Sequence, residues 1–375
     1  MKLAIISHTN HYIKEGKVVG WGPTIREINH LNVLFDEIYH IAPIHKKEAP
    51  ESSLPYTNSQ TNFIPLIPYG GDKISEKVSI ITSAPHNLSV IRNVLKKFGK
   101  NDWIHFRAPT AMGIYVLPYL SINRKSKLWV KYAGNWNMDK PPLSYSFQKW
   151  WLENNFQRSK VTINGNWKNQ KEHLIDFKNP CFENKELQSA NLSAKKKNFE
   201  NKLTLCFSGS LTENKGAGIL LEALKNFRRK DEIEEVIFAG DGVMRSQYEK
   251  SAEAINLNIT FRGFLGRKDL EKVYEKSHLI ILPSESEGFP KVIAEAAAFG
   301  CVPVVSDVSS ISQSFNSLNG FLLKDINQGE VTEKLKEAFS NRMDLKKKSE
   351  ECIKTSSQYT YENYIESLKE KILSD

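Results

Sequence analysis

The sequence predicts an α/β protein built from two doubly wound parallel-sheet domains, and three observations carry that prediction. The chain has 375 residues, more than the roughly 250 to 300 at which a single core stops growing. Short apolar, β-branched runs alternate with segments of helical period from end to end, the rhythm of parallel strands joined by crossover helices. A composition of 40% hydrophobic, 25% charged and 10% aromatic residues supplies two cores and excludes disordered and fibrous classes.

Taken in order, the first half offers strands at 2–8 (KLAIISH), 36–44, 62–68, 102–109, 127–134 and 161–165. The first of these breaks at Ser7 and His8, too soon for a signal-peptide core, and reads as a buried strand. The second half repeats the pattern at 203–209, 234–242, 258–265, 278–284 and 301–307, each run followed by a turn and a helix-period segment. Between the halves, 179–201 is Asn- and Lys-rich, with Lys195, Lys196 and Lys197 in a row, and reads as a linker. In the tail, Tyr361, Tyr364, Ile365, Leu368 and Ile372 share a helical face, which predicts a packed helix. The expected division is therefore 1–190, 191–358 and a helix over 359–375 that packs towards the first domain.

Four cysteines, Cys181, Cys206, Cys301 and Cys352, lie far apart without a CxxC pair. They predict neither a zinc site nor a disulfide framework, and fit a reducing, cytoplasmic compartment. No run approaches 18 consecutive apolar residues, so no membrane span is expected. Residues 1–190 hold 25 Lys and Arg against 15 Asp and Glu, whereas 191–375 hold 27 against 28. An excess confined to one half points to an anionic partner: a membrane surface, a phosphorylated acceptor or nucleic acid. A plain soluble basic surface is the alternative, and no recognition motif supports nucleic acid. Two basic amphipathic segments, 86–100 and 142–160 with Trp150 and Trp151, fit either core packing or interfacial binding.

The chemistry concentrates in the second half. A strand ending at Gly209, a polar loop through Ser210 and a helix starting near Gly216 form the strand-loop-helix geometry that offers backbone N–H groups to phosphate. Lys215 stands at that helix start, although the loop is neither a Walker loop nor GxGxxG, and a surface lysine is the competing reading. After the strand at 278–284 come Glu287, Gly288, Phe289 and Pro290, then a helix carrying Glu295 among Ala294, Ala296, Ala297 and Ala298. Two carboxylates separated by seven residues border one crevice, one in the loop and one a turn inside the helix. A glutamate in so apolar a helix needs a partner. In the first half, Gly20, Gly22 and Arg26 lie in a glycine-containing stretch expected as a loop facing the crevice or as an ordinary βα loop. His105 and Arg107 are two apart near a strand end and share a face.

The motifs SGSLTENKG, FAGDG, FRGFLG, PSESEGFPKVIAEAAAFGCVPVVSD and NGFLL, in this order over 203–325, resemble a family 4 retaining glycosyltransferase of the GT-B fold. That resemblance implies two Rossmann-like domains facing a central cleft. It implies that Glu287 and the backbone of Gly288, Phe289 and Pro290 hold the donor sugar, that Glu295 holds the ribose, and that Lys215 holds the diphosphate beside Gly209 and Ser210. Arg262, Gly263 and Phe264 would face the nucleobase, while Gly240, Asp241 and Gly242 shape a turn. Glu287 and Lys215 would be the catalytic pair. The implied co-substrate is a nucleotide-sugar, UDP before GDP, with no cofactor and no metal, in keeping with the lack of an Asp-x-Asp motif. The implied acceptor is a glycan or lipid-linked sugar in surface or capsular polysaccharide assembly, with peripheral contact at an anionic inner membrane face and no nucleic acid.

One departure stands out: the family places an Arg after the glycine that ends the first strand, and this chain has Ser210. Arg262, Arg107 or Arg26 substitutes, donor affinity falls, or the chain is a degenerate sugar-nucleotide-binding subunit. A paired-carboxylate hydrolase is the rival chemistry for Glu287 and Glu295.

Overall fold

The structure, a computed structural model, describes residues 1–71, 74–289 and 291–374, with backbone only at 74–76. The chain forms two compact units: Met1–Phe177 with Ile365–Asp375, and Lys178–Tyr364.

The first unit is built on strands β1 (Lys2–Ile6), β2 (His11–Lys14), β3 (Lys17–Trp21), β4 (Glu37–Pro43), β5 (Ser53–Pro55), β6 (Thr61–Leu66), β7 (Trp103–Ala108), β8 (Lys127–Tyr132), β9 (Lys160–Ile163) and β10 (Leu174–Asp176). Seven of them form a parallel sheet in the order β10-β9-β8-β7-β1-β4-β6, in register Leu3↔Ile38 and Leu3↔Trp103 about its centre. All six residues of β7 are buried, as expected of a central strand covered on both faces. The covering helices are α1 (Gly22–Leu31), α2 (Ile74–Thr82), α3 (Ala84–Leu95), α4 (Gly113–Asn123) and α5 (Leu143–Glu153).

Two expectations change here. The stretch with Gly20 and Gly22 is not a loop: β2, β3 and β5 make a small antiparallel sheet, and β3 runs straight into α1. Helix α3 and the turn after it spend their apolar face inward, with Ile91 and Val94 of the helix and Phe98 of the turn buried in the core, so 86–100 packs on the core and is not interfacial.

The second unit carries helix α6 (Asn184–Ala194) and then strands β11 (Leu203–Ser208), β12 (Ile233–Ala239), β13 (Ile259–Phe261), β14 (Leu279–Leu282), β15 (Val302–Ser306) and β16 (Phe321–Leu323). They form one parallel sheet in the order β13-β12-β11-β14-β15-β16. Around it pack α7 (Ala217–Asn226), α8 (Arg245–Glu253), α9 (Arg267–Lys276), α10 (Lys291–Ala298), α11 (Gln328–Ser340) and α12 (Arg342–Ser356). The expected linker is instead an entry into this unit. Helix α6 opens with a capping box in which the Glu183 N–H donates to Glu186 Oε2 at 2.8 Å, and it buries Leu187, Ala190 and Ala194. The Cys181 N–H donates to Tyr359 O at 2.7 Å, so the boundary falls at 177 rather than 190. The last helix, α13 (Tyr361–Leu368), continues as a π-helical turn to Leu373. Tyr361, Tyr364, Ile365, Leu368 and Ile372 are all buried, and Lys160 Nζ donates to Ser374 O at 2.9 Å within the first unit.

Candidate functional site

In the second unit the chain leaves β11 for β12 and β13 on one side and returns through β14, β15 and β16 on the other. Strand order reverses between β11 and β14, which opens a crevice outside their C-terminal ends. Two loops border it, 209–216 after β11 and 283–289 after β14. The Glu285 N–H donates to Asn214 O at 3.0 Å. Gly216 has φ +78° and a Cβ there would stand 2.2 Å from Pro283 O, so only glycine lets the two loops meet so closely. Across them Lys215 Nζ lies 2.6 Å from Glu287 Oε1, with side chains 25% and 11% exposed. Helix α7 starts at this point with no side-chain cap on Gly216 and no acid in its first turn; the Gly218 N–H is taken by Tyr248, and the helix start sets a partial positive charge beside Lys215.

The remaining donor-side residues divide. Gly209 donates its N–H to Ala239 O at 3.0 Å, and Gly240, at φ +145°, approaches so closely that a Cβ would stand 1.8 Å from Gly209 O. Residues 240–242 therefore form a turn that supports the loop. Ser210 is exposed. Gly288 O accepts from Ser309 Oγ at 2.9 Å, while the half-buried Phe289 ring stacks on Tyr359 with centroids 5.0 Å apart. Pro290 lies outside the described residues. Arg262 does not replace the missing cation at Ser210. It stands on the far side of β12, its side chain is half-exposed, and its Nη2 turns back along the sheet to Glu235 Oε1 at 3.5 Å. Gly263 accepts from the Gly240 N–H at 2.8 Å, and the neighbouring Phe264 ring is exposed.

Glu295 has the partner its apolar helix demands. Arg267 Nη1 lies 3.3 Å from its Oε1, and the same guanidinium reaches Glu186 at 3.1 Å and Glu271 at 3.2 Å. Burial alone would lower the Arg267 pKa, but the three carboxylates, Glu295 foremost, hold it raised. Sequence reasoning missed Arg267; its one signal is its place directly after the FRGFLG motif.

The first unit has its own reversal, between β1 and β7. A depression of about 380 Å³ lies there, lined by His8 and Thr9 after β1, Arg107 and Ala108 at the end of β7, and Tyr12 and Trp21 of the small sheet. Arg107 thus lines a pocket as expected, but it is paired: Nη1 lies 2.6 Å from Glu27 Oε1, and Lys131 Nζ shares that carboxylate at 2.8 Å. His105 does not line it. Two residues deeper on β7, it is fully buried and stacked on Trp129 at 3.7 Å, and burial, then the Arg107 charge, push its pKa well below 6.5. Gly20 and Gly22 are packing glycines, because Cβ atoms there would stand 2.6 Å from His11 Nε2 and 2.7 Å from Ser52 O. Arg26, half-buried on α1, is not part of the pocket wall. His8 was missed although it ends the first strand; its exposed side chain lines the pocket wall.

The family profile described as Glycosyl transferases group 1 matches residues 188–359. Residues 188–359 are thus similar to the group 1 glycosyltransferases. The matched stretch contains every donor-side residue that the sequence singled out. The chain is 27% identical over 152 residues to a GalNAc-alpha-(1->4)-GalNAc-alpha-(1->3)-diNAcBac-PP-undecaprenol alpha-1,4-N-acetyl-D-galactosaminyltransferase of Campylobacter jejuni, covering 40% of this chain and 38% of that one. It is 33% identical over 107 residues to a 2-deoxystreptamine N-acetyl-D-glucosaminyltransferase of Niallia circulans, covering 28% and 27%. The chain thus spans well under half the length of these curated relatives. Among solved structures, Anabaena HepE in complex with UDP matches at TM-score 0.69 and 13% identity over 99% of both chains. The sucrose-phosphate synthase of Thermosynechococcus elongatus matches at 0.69 and 12%, over 98% and 97%. These matches identify the fold, two parallel-sheet units of the GT-B type.

Proposed function

We propose that this chain transfers a sugar from a nucleotide-sugar held at the β11–β14 crevice to a glycan or lipid-linked acceptor at the pocket of the first unit. The observation that carries the reading is the Lys215–Glu287 pair at 2.6 Å, set at a switch point against the uncapped start of α7. A diphosphate suits that ammonium and that helix start, which supply positive charge without a metal. Glu287 is then freed towards the sugar hydroxyls, Glu295 holds the ribose diol, and the backbone at Arg262, Gly263 and Phe264 meets the base. The reaction is retaining. The anomeric C–O bond to phosphate breaks, the acceptor oxygen bonds on the same face, and the departing phosphate oxygen takes its proton, with the protein positioning and stabilising charge. UDP is favoured because HepE was solved with UDP. A lipid-linked acceptor in polysaccharide assembly is favoured because the Campylobacter relative is named for an undecaprenol-linked one.

Calorimetric titration of the wild type and Glu295→Ala with UDP, GDP and their sugar conjugates, with EDTA present, tests the donor site. Tight UDP binding that Glu295→Ala weakens supports the reading, and absence of binding by folded wild type removes it. The exposed Ser210, where no cation stands, favours one second reading, a binding subunit without activity. That subunit would bind UDP and release no free UDP from UDP-sugars with any acceptor.

A further inference from the structure

Helix α5 and the turn after it carry an aromatic surface that the first unit leaves uncovered. Phe147, Trp150, Trp151 and Phe156 touch one another, with Trp150 and Phe156 centroids 5.0 Å apart. Trp150 is 51% and Phe156 44% exposed; Leu143, at the start of α5, is 90% exposed, and Ile122, at the end of the neighbouring α4, 80%. The opposite face is spent on packing: Leu152 and Gln148 are buried, and Trp151 Nε1 donates to Ser121 Oγ at 3.3 Å.

The turn is built to present this surface. Asn155 and Arg158 hold φ of +56° and +49°, a conformation that non-glycine residues adopt at a cost. Asn155 Oδ1 fixes the turn by accepting from the Ser159 N–H at 3.1 Å and Gln157 Nε2 at 3.0 Å. Beside the rings, Arg124 Nη2 donates to the Arg158 carbonyl at 2.8 Å, which brings two guanidinium-bearing residues together. Neither has a carboxylate within ion-pair range among the described residues. Residues 103–171 hold 11 Lys and Arg against 2 Asp and Glu.

We propose that this face, Leu143, Trp150 and Phe156 with Ile122, Arg124 and Arg158, docks the protein on a bilayer containing anionic phospholipid. The rings seat at headgroup level and the guanidiniums meet lipid phosphates. Gln148 ties the face to the pocket: its Nε2 donates to Thr110 O at 2.8 Å, and its Oε1 accepts from the Thr110 N–H at 3.1 Å, two residues beyond Ala108. Docking thereby holds the pocket at a fixed place relative to the bilayer. The suitability of that arrangement for a lipid-anchored acceptor rests on the function proposed above, whereas the docking surface does not.

The experiment is co-sedimentation of the full chain with phosphatidylcholine vesicles, with and without phosphatidylglycerol, alongside UDP titration and sedimentation velocity. The wild type should pellet only with phosphatidylglycerol and come off in high salt. Trp150→Ser with Phe156→Ser, and separately Leu143→Ser, should each lower partitioning; Arg158→Gln should lower it about fivefold. Leu143→Ser and Arg158→Gln should keep wild-type melting, and every variant should keep UDP binding. Because Leu143 is 90% exposed, its loss cannot act through misfolding. Wild type that stays in the supernatant with both vesicles, variants that bind as wild type does, or a dimer broken by the same substitutions would each overturn the proposal. UDP binding reads out the donor site independently, so the two readings fail separately.

Discussion

At the scale of residues, one carboxylate does most to hold the first unit's pocket together. Glu27, 2% exposed, takes Arg107 at 2.6 Å and Lys131 at 2.8 Å. Glu27→Gln leaves two buried cations short of their counter-charge, a loss of about 3 to 5 kcal/mol, and a fall in the urea midpoint of the Trp signal measures it. In the second unit the same chemistry serves a ligand. Lys215 meets Glu287 in the free protein and the diphosphate in the proposed complex. Lys215→Ala is therefore expected to weaken UDP binding by about 10- to 100-fold, the worth of a charge-assisted bond, with little change in Tm. Ser210→Arg, at an exposed position, is the converse test. Tighter UDP binding in that variant means the diphosphate runs past residue 210, and unchanged affinity places it elsewhere.

At the scale of elements, the close approach of the 209–216 loop to the 283–289 loop decides whether the crevice exists. Gly216→Ala puts a Cβ against Pro283 O in a left-handed conformation, while a Cβ at Gly209 would meet nothing nearer than 3.8 Å. Gly216→Ala should therefore lower both Tm and UDP affinity, and Gly209→Ala should leave Tm unchanged; thermal melts and titrations compare them directly. This loop pair was legible in the sequence because strand, polar loop and helix follow one another within one short stretch. Arg267 was not, since Glu295 and Glu186 reach it only after α6, α9 and α10 pack. Helix α6 was misread as linker because Lys195, Lys196 and Lys197 mask the spacing of Leu187, Ala190 and Ala194, a helical face visible on a second reading. The hairpin of β2 and β3 was missed for a different reason: Gly20 of β3 packs against His11, and Gly22, which opens α1, against Ser52, contacts that no local pattern announces.

At the scale of the whole molecule, the two sheets were foreseen because buried parallel strands write continuous apolar runs, but charge and burial divide more sharply than those runs show. The first unit holds 25 Lys and Arg against 16 Asp and Glu, and the second 27 against 27. All seven tryptophans lie in the first unit, so Trp fluorescence reports that unit alone. Three of its histidines, His11, His40 and His105, are wholly enclosed. Burial, the largest cause for each, lowers His11 to about 4 and the other two well below 6.5. Above pH 6.5 these rings are neutral in both folded and unfolded chains and leave stability unchanged. Below it the unfolded chain takes up protons that the folded unit refuses, so stability falls as pH drops from 6.5 towards 4. Each ring contributes a slope of about 1.4 kcal/mol per pH unit at full effect. Urea midpoints followed by Trp fluorescence between pH 7.5 and 5.5 should hold level above 6.5 and then decline. His105→Phe, which keeps a ring against Trp129, should flatten that decline by about one proton's worth whatever its effect on the midpoint at pH 7.5. A decline as steep in His105→Phe as in the wild type would mean that His105 is protonated in the folded unit, and the neutral stacked ring would have to be given up.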